Sequence, residues 1–220
     1  MFIGHYAPAA AIKSVAPKVP LWHLFVAVQF LDYLWAGFIL AGIEHARVAP
    51  GFLAASHLDL YDMPYTHSLA GAALWSVLAG VAYGGLLNRR AGAAGGLAIG
   101  AAVLSHWFAD LLVHASDLAL YPGSAERFGF GLWSSLAVSQ TLEFAFLLAG
   151  FVLYLRASAA KGPVGRVSPF FLLVCLCALQ LYSLTSEPPA DIAAFAGLAL
   201  VSYTLIAALA AFVDATRTAR

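Results

Sequence analysis

Six long apolar stretches run along the 220-residue chain. Most of them approach the roughly 20 residues that a helix needs to cross the hydrocarbon core of a bilayer. Only 10% of the residues are charged, against about 25% in an ordinary soluble domain. Backbone groups in lipid must be hydrogen-bonded within the chain, and these stretches are too long and unbroken for barrel strands. The stretches are Leu21–Ile43, Thr66–Leu87, Gly95–His114, Ser134–Leu155, Pro169–Leu184 and Ile192–Val213.

These stretches predict an all-α fold, a polytopic membrane helix bundle of about six transmembrane helices. A short re-entrant or interfacial helix is expected before them, and residues 1–220 are expected to form a single integral membrane domain. Glycines recur at four-residue spacing in and between the second and third stretches, which allows helix backbones to approach closely. We interpret this spacing as helix packing, and the residues are Gly80, Gly84, Gly92, Gly96 and Gly100.

Charge alternates between successive connections. Lys and Arg residues precede the first stretch, follow the second and the fourth, and end the chain, whereas the other three connections are acidic or nearly neutral. The positive-inside rule therefore predicts a multi-pass protein of the cytoplasmic (inner) membrane with both termini in the cytoplasm. The formal net charge is zero and no basic cluster is present, so we expect membrane lipid as a partner and no nucleic acid.

The third stretch ends with polar residues that a bilayer normally excludes. At about 100° per residue, Asp110, His114 and Asp117 lie within about 80° of His106, so the four side chains share one helix face. An Asp at mid-span costs about 2.5–3.5 kcal/mol even on the mild insertion scale. This stripe therefore requires polar partners or a shared cation.

Possible partners lie at similar depths elsewhere in the chain. Asp32 lies about 17 Å from the start of the first stretch, and Glu143 falls near the midplane within the fourth. His67 opens the second stretch at its outer edge. His5 reaches this depth only if residues 1–17 re-enter the bundle, because about twelve helical residues rise about 18 Å. We therefore predict a re-entrant N-terminal segment.

Histidines and carboxylates without thiolates favour zinc or a related divalent metal, as one or two ions, over calcium or copper. Cys175 and Cys177 lie on different faces of the fifth stretch and are interpreted as apolar residues. A divalent ion would lower the pKa of bound water towards neutrality and make hydroxide available for attack on an ester or phosphoester. One carboxylate must stay free as general base, and Asp110 and Glu143 are both candidates for this catalytic role.

The outward connections, residues 43–65 and 116–133, are long for a bundle and could cap a site at the outer face. In the first of them, Glu44, Asp59 and Asp62 are interpreted as a solvated acidic loop. Asp62 is also close enough to His67 in sequence to support that side chain.

Five short elements follow one another within residues 1–123: Gly4-His5, Leu31-Asp32, Tyr65-Thr66-His67-Ser68, Ser105-His106 with Asp110, and Tyr121-Pro122. Their order resembles the YdjM/YbcI family of predicted membrane-bound metal-dependent hydrolases. The resemblance implies a metal-site half over residues 1–123, with helical support from residues 124–220. It implies a metal site formed by His5, Asp32, His67, His106 and Asp110.

The sequence departs from the family pattern at one position. The second Asp of the family's Pro-Asp-x-Asp element is replaced by Leu34. One expected ligand is therefore missing, and His114 or Glu143 is the candidate to replace it.

The polar cluster and the resemblance together favour a metal-dependent hydrolase in the membrane, acting on a lipid or other amphiphilic ester, amide or phosphoester. One alternative is an ion- or proton-coupled transporter or channel that uses the same residues as a pathway. The last three stretches lack the matching polar set that an inverted repeat would place there, which weighs against transport. The other alternative is a non-catalytic scaffold with a structural metal.

Overall fold

Eight α-helices form a polytopic bundle in the computed structural model, which describes residues 1–220. By length and composition, five helices can cross a membrane, and there are six spans if α2 and α3, which are bent by 51°, count as one. The predicted all-α membrane bundle is confirmed. The helices are α1 Tyr6–Val15, α2 Leu21–Val28, α3 Phe30–Leu40, α4 Leu69–Ala82, α5 Gly92–Val113, α6 Leu136–Ala157, α7 Pro163–Thr185 and α8 Ile192–Thr216.

Three short antiparallel hairpins or strand pairs lie at the ends of the bundle. Strands β1 (His45–Leu53) and β2 (Ser56–Asp62) form a hairpin between α3 and α4. Strands β3 (Leu118–Ala119) and β4 (Arg127–Phe128) pair between α5 and α6. At the opposite end, β5 (Ser158–Ala160) and β6 (Arg217–Ala219) join the end of α6 to the end of α8. The two long connections, residues 43–65 and 116–133, thus each contain a strand pair.

The N-terminal segment folds back into the bundle, as the depth of the polar residues predicted. Lys13, near the end of α1, forms an ion pair of 3.2 Å with Asp214 at the end of α8. From there the segment runs inward along α6 to His5, which is 1% exposed. The contact with α6 is close, because a Cβ on Gly150 would lie 2.6 Å from the Cα of Ala7.

The first span differs from the sequence prediction, which had one continuous helix over Leu21–Ile43. The helix breaks at Gln29, where the backbone leaves helical geometry with φ −105° and ψ 8°. Neither Pro nor Gly marks this break in the sequence. The break has a consequence for the site, because the Val28 carbonyl beside it accepts a hydrogen bond from Nδ1 of His106 at 2.7 Å.

Helix α7 begins at Pro163, six residues before the predicted start at Pro169. A proline inside a helix removes the hydrogen bond to the carbonyl four residues earlier. Here that carbonyl belongs to Gly165, and Nη1 of Arg217 donates to it at 2.6 Å. The replacement bond explains how the helix continues through Pro169.

Helices α4 and α5 pack through their glycines, as the four-residue spacing predicted. A Cβ on Gly96 would lie 2.6 Å from the carbonyl oxygen of Gly80. A Cβ on Gly84, in the π-helical turn Tyr83–Leu87 that continues α4, would lie 2.6 Å from that of Gly92. These separations are shorter than any Cβ contact, so the helices can approach this closely only without side chains here.

Replacing Gly96 with Leu is expected to destabilise the bundle by about 1–3 kcal/mol, the usual cost of overpacking. The measurement is thermal or denaturant unfolding in detergent micelles. Gly197→Leu is the matched control, because a Cβ at this helical glycine of α8 meets nothing within 4 Å. An unfolding midpoint for Gly96→Leu equal to that of the control would contradict the close α4–α5 contact.

Candidate metal centre

Six of the side chains singled out in the sequence converge inside the bundle. They come from the turn before α1, from α3, from the turn before α4, from two positions near the end of α5, and from the residue directly after α5. All except Asp32 are at most 3% exposed, and the Asp32 side chain is 17% exposed. The six are His5, Asp32, His67, His106, Asp110 and His114.

Asp110 lies at the centre of this cluster. Its Oδ1 is 3.1 Å from Nε2 of His5 and 2.7 Å from the α-amino nitrogen of Met1. Its Oδ2 is 3.0 Å from Nε2 of His106, 3.6 Å from Nε2 of His114 and 3.7 Å from Nε2 of His67. Both oxygens of one carboxylate therefore face imidazole nitrogens.

Asp32 supplies a second carboxylate to the same cluster. Its Oδ1 is 3.4 Å from Nε2 of His67 and 3.5 Å from Nε2 of His106. Two sets of three side chains each have ligand atoms within 4.8 Å of one another, and His106 belongs to both. The sets are His5, His106 and Asp110, and Asp32, His67 and His106.

The spacing of these atoms matches the shell of a small divalent ion. Zinc binds nitrogen and carboxylate oxygen at about 2.0–2.2 Å, so neighbouring ligand atoms in a tetrahedral shell lie about 3.3 Å apart. The separations between the Nε2 and carboxylate oxygens run from 3.0 to 3.7 Å. The buried His/Asp groups can therefore hold a metal ion.

Unpartnered nitrogens point to the same conclusion. Both ring nitrogens of His5 and Nε2 of His106 are buried and make no hydrogen bond of acceptable geometry, although the two Nε2 atoms lie 3.1 and 3.0 Å from oxygens of Asp110. Buried polar atoms nearly always have a hydrogen-bond partner. The two rings stack with their centroids 3.9 Å apart and an interplanar angle of 5°. A cation beside the two Nε2 atoms would satisfy both, whereas the stacked rings cannot bond to each other.

In three of the four histidines, a hydrogen bond at Nδ1 fixes the tautomer. Nδ1 of His106 donates to the Val28 carbonyl at 2.7 Å, and Nδ1 of His114 donates to Oδ1 of Asp117 at 2.9 Å. Nδ1 of His67 lies 2.8 Å from the Thr66 hydroxyl. Each Nε2 then presents a lone pair to the cluster, the arrangement that metal-ligating histidines commonly adopt.

Glu44 completes the support of His67, which corrects its interpretation as part of a solvated acidic loop. Glu44 is 1% exposed, and its Oε2 accepts the Thr66 hydroxyl at 2.6 Å. Because the Thr66 hydroxyl proton goes to Glu44, its oxygen accepts from Nδ1 of His67. Asp62, considered as a support for His67, instead pairs with His45 at 2.9 Å.

Glu143 lies beside the cluster but bonds to backbone. Its Oε1 accepts the Phe2 N–H at 2.8 Å, and its Oε2 accepts the Gly4 N–H at 2.7 Å. It is 2% exposed. Glu143 therefore fixes the N-terminal turn that carries His5, a role that the sequence pattern did not indicate.

A cavity of about 580 Å³ opens onto the cluster. Asp32, His67, Asp110 and His114 line it on the side of the cluster, together with Glu143. The hairpin tip, residues 54–58, also lines the cavity. The parts of α6, α7 and α8 nearest the hairpin line it too, with side chains that include Leu136, Leu179, Phe195 and Leu198. The polar centre thus lies against a largely apolar chamber.

Tyr203 of α8 is a further contact that the sequence reasoning missed. Its hydroxyl donates to Oδ2 of Asp32 at 3.0 Å, and its side chain lines the cavity. Nothing in the pattern of α8 separates Tyr203 from the aromatic residues that membrane helices carry for packing. Only the three-dimensional contact between Tyr203 and Asp32, which are 171 positions apart in the sequence, identifies it.

Comparison of the chain with protein-family models, with curated proteins and with solved structures finds no match. The resemblance to the YdjM/YbcI family therefore stays a prediction.

Removing the Glu143 carboxylate with Glu143→Ala is expected to weaken zinc binding by about 10–100-fold, the usual effect of losing a group that orients a ligand. The reason is that Phe2 and Gly4 lose their acceptor, so His5 is no longer held at Asp110. The measurement is zinc affinity by competition with a chromophoric chelator. Glu187→Ala is the control, because this exposed carboxylate lines the cavity without contacting the N-terminal segment, and an equal loss in both variants would contradict the assignment.

Proposed function

We propose that this chain is a membrane-embedded, metal-dependent hydrolase whose substrate is a lipid or another amphiphilic ester, amide or phosphoester. The observation that carries the proposal is the convergence of four Nε2 atoms and two carboxylates beside an apolar cavity. The resemblance to the YdjM/YbcI family adds to it. A scaffold with a structural metal has no need of such a chamber, because structural sites are closed by four protein ligands.

In this proposal the ligands are drawn from the two overlapping sets, His5, Asp32, His67, His106 and Asp110. Zinc is the divalent metal that best suits imidazole and carboxylate ligands without thiolate. When bound, such an ion supplies Lewis-acid activation of water and of the scissile group. The residues of the chain hold the ligand atoms in place, exclude bulk water and accept the proton.

His114 is the residue best placed to accept that proton. Asp110 has both oxygens among the ligand nitrogens, and Glu143 has both oxygens on backbone N–H groups. His114 belongs to neither ligand set, yet it lines the cavity with its Nδ1–H held by Asp117. Its Nε2 therefore offers a lone pair at the edge of the centre, as a general base requires.

The cavity favours a substrate with one polar and one apolar end. Its apolar lining on α6, α7 and α8 suits an acyl chain, and its polar end at Asp110 and His114 suits an ester, amide or phosphoester group. Binding pockets of this kind orient a ligand with a few polar groups at one end. We infer that the substrate enters from the membrane or from its outer surface.

The orientation follows from the distribution of basic residues. The start of α2 bonds to Asp214 at the end of α8, so these two ends of the bundle lie together, opposite the hairpin. All Lys and Arg residues except Arg47 and Arg127 lie in the helix ends, connections and termini at this end. We propose that it faces the cytoplasm, which puts both termini inside and the cavity mouth outside.

The direct test is hydrolysis by the purified protein in detergent or nanodiscs. Zinc-loaded protein is expected to cleave p-nitrophenyl palmitate, a phosphatidylcholine or bis-p-nitrophenyl phosphate, and to lose that activity when a chelator removes the metal. Asp110→Asn is expected to abolish both zinc binding and turnover. Ion flux through wild-type proteoliposomes, abolished by His106→Ala and without any hydrolysis, would replace this proposal with the transporter.

Replacing His114 with Asn tests its role separately. Turnover is expected to fall by about 10²–10⁴-fold, the usual contribution of a general base, while zinc stoichiometry stays that of the wild type. The measurements are initial rates and metal content on the same preparation. Loss of zinc together with turnover would instead make His114 the replacement ligand that the family pattern requires.

A further inference from the structure

We propose that Tyr203 positions Asp32 as a one-oxygen metal ligand and so keeps one coordination position open for water. This inference rests on the proposed metal centre, and it adds a residue of α8 to a site whose predicted ligands all lie before residue 115. Tyr203 acts through Asp32, so it is a positioning residue.

The two oxygens of Asp32 have different surroundings. Oδ1 faces Nε2 of His67 at 3.4 Å and Nε2 of His106 at 3.5 Å. Oδ2 is the farther oxygen from both nitrogens and accepts the Tyr203 hydroxyl at 3.0 Å. The Tyr203 hydroxyl therefore occupies Oδ2 and leaves Oδ1 to bind the metal.

This division matters because carboxylates can bind a cation through one oxygen or through both. With Oδ2 held by Tyr203, Asp32 contributes a single bond. Catalytic zinc sites keep a position free for water or substrate, unlike structural sites. An Asp32 released from Tyr203 can turn both oxygens towards the ion and fill that position.

The Tyr203 side chain is itself fixed by its neighbours. Its ring packs against Tyr33 with centroids 5.6 Å apart and against Phe2 with centroids 6.3 Å apart. Phe2 belongs to the turn that Glu143 holds, so Tyr203 contacts the N-terminal segment and α3 together. Its hydroxyl thus has a defined position beside the cavity.

Tyr33 provides a matched control at the same interface between α3 and α8. Its hydroxyl contacts the Thr204 hydroxyl at 3.3 Å, so it also joins α3 to α8. That bond touches no residue of the cluster. Tyr203→Phe and Tyr33→Phe therefore each remove one hydroxyl from the interface between α3 and α8. Only the Tyr203 hydroxyl contacts a proposed metal ligand.

The experiment is titration of metal-free wild type, Tyr203→Phe and Tyr33→Phe with Co²⁺ and Zn²⁺, followed by visible absorption of the Co²⁺ forms. Tyr203→Phe is expected to weaken binding by about 10–100-fold and to lower the intensity of the Co²⁺ ligand-field bands, as an added ligand raises the coordination number. Tyr33→Phe is expected to stay within about threefold of wild type in affinity, with an unchanged spectrum.

A double-mutant cycle with Asp32→Asn separates positioning from general stability. In the Asp32→Asn protein, Tyr203→Phe is expected to change metal affinity no further, because the bond that it removes no longer orients a carboxylate ligand. Equal affinity and spectrum for Tyr203→Phe and wild type would overturn this inference alone. A wild type that binds neither Co²⁺ nor Zn²⁺ would overturn it together with the proposed function.

Discussion

A buried carboxylate surrounded by imidazole lone pairs is the constraint on which the centre depends. Asp110 is 2% exposed inside a membrane-spanning helix, where an uncompensated charge is costly. His67, His106 and His114 donate through Nδ1 to groups outside the cluster. In the neutral imidazole each Nε2 therefore carries the lone pair, and each lies 3.0–3.7 Å from Oδ2 of Asp110. A proton on every Nε2 would bury several positive charges together, beside the Met1 amino group that already pairs with Asp110. A divalent ion would instead bind the Nε2 lone pairs and the carboxylates together.

The fold brings these groups to Asp110. The break at Gln29 directs the Val28 carbonyl to His106, and the close α4–α5 packing through Gly80 and Gly96 brings the start of α4 beside α5. The residues after 123 do more than support the first half. Glu143 on α6 fixes the turn that carries His5, and α8 provides the hydroxyl that meets Asp32.

Sequence reasoning was effective where periodicity or depth constrained a residue. Helical spacing placed His106 and Asp110 on one face, and rise per residue predicted that His5 would need a re-entrant segment. Pairings between distant segments could not be predicted. Glu44 reaches Thr66 because a hairpin closes between them, and no local pattern encodes that closure. The break at Gln29 lacks a Pro or Gly, so no local pattern marks it.

Zinc K-edge X-ray absorption of the purified, zinc-supplemented protein tests the central claim most directly. The account predicts about one or two zinc ions per chain, bound by nitrogen and oxygen at about 2.0–2.2 Å, with the outer-shell scattering of several imidazoles. Asp110→Asn should lose this spectrum. Protein without stoichiometric divalent metal, or with sulfur at about 2.3 Å from zinc, would contradict the account.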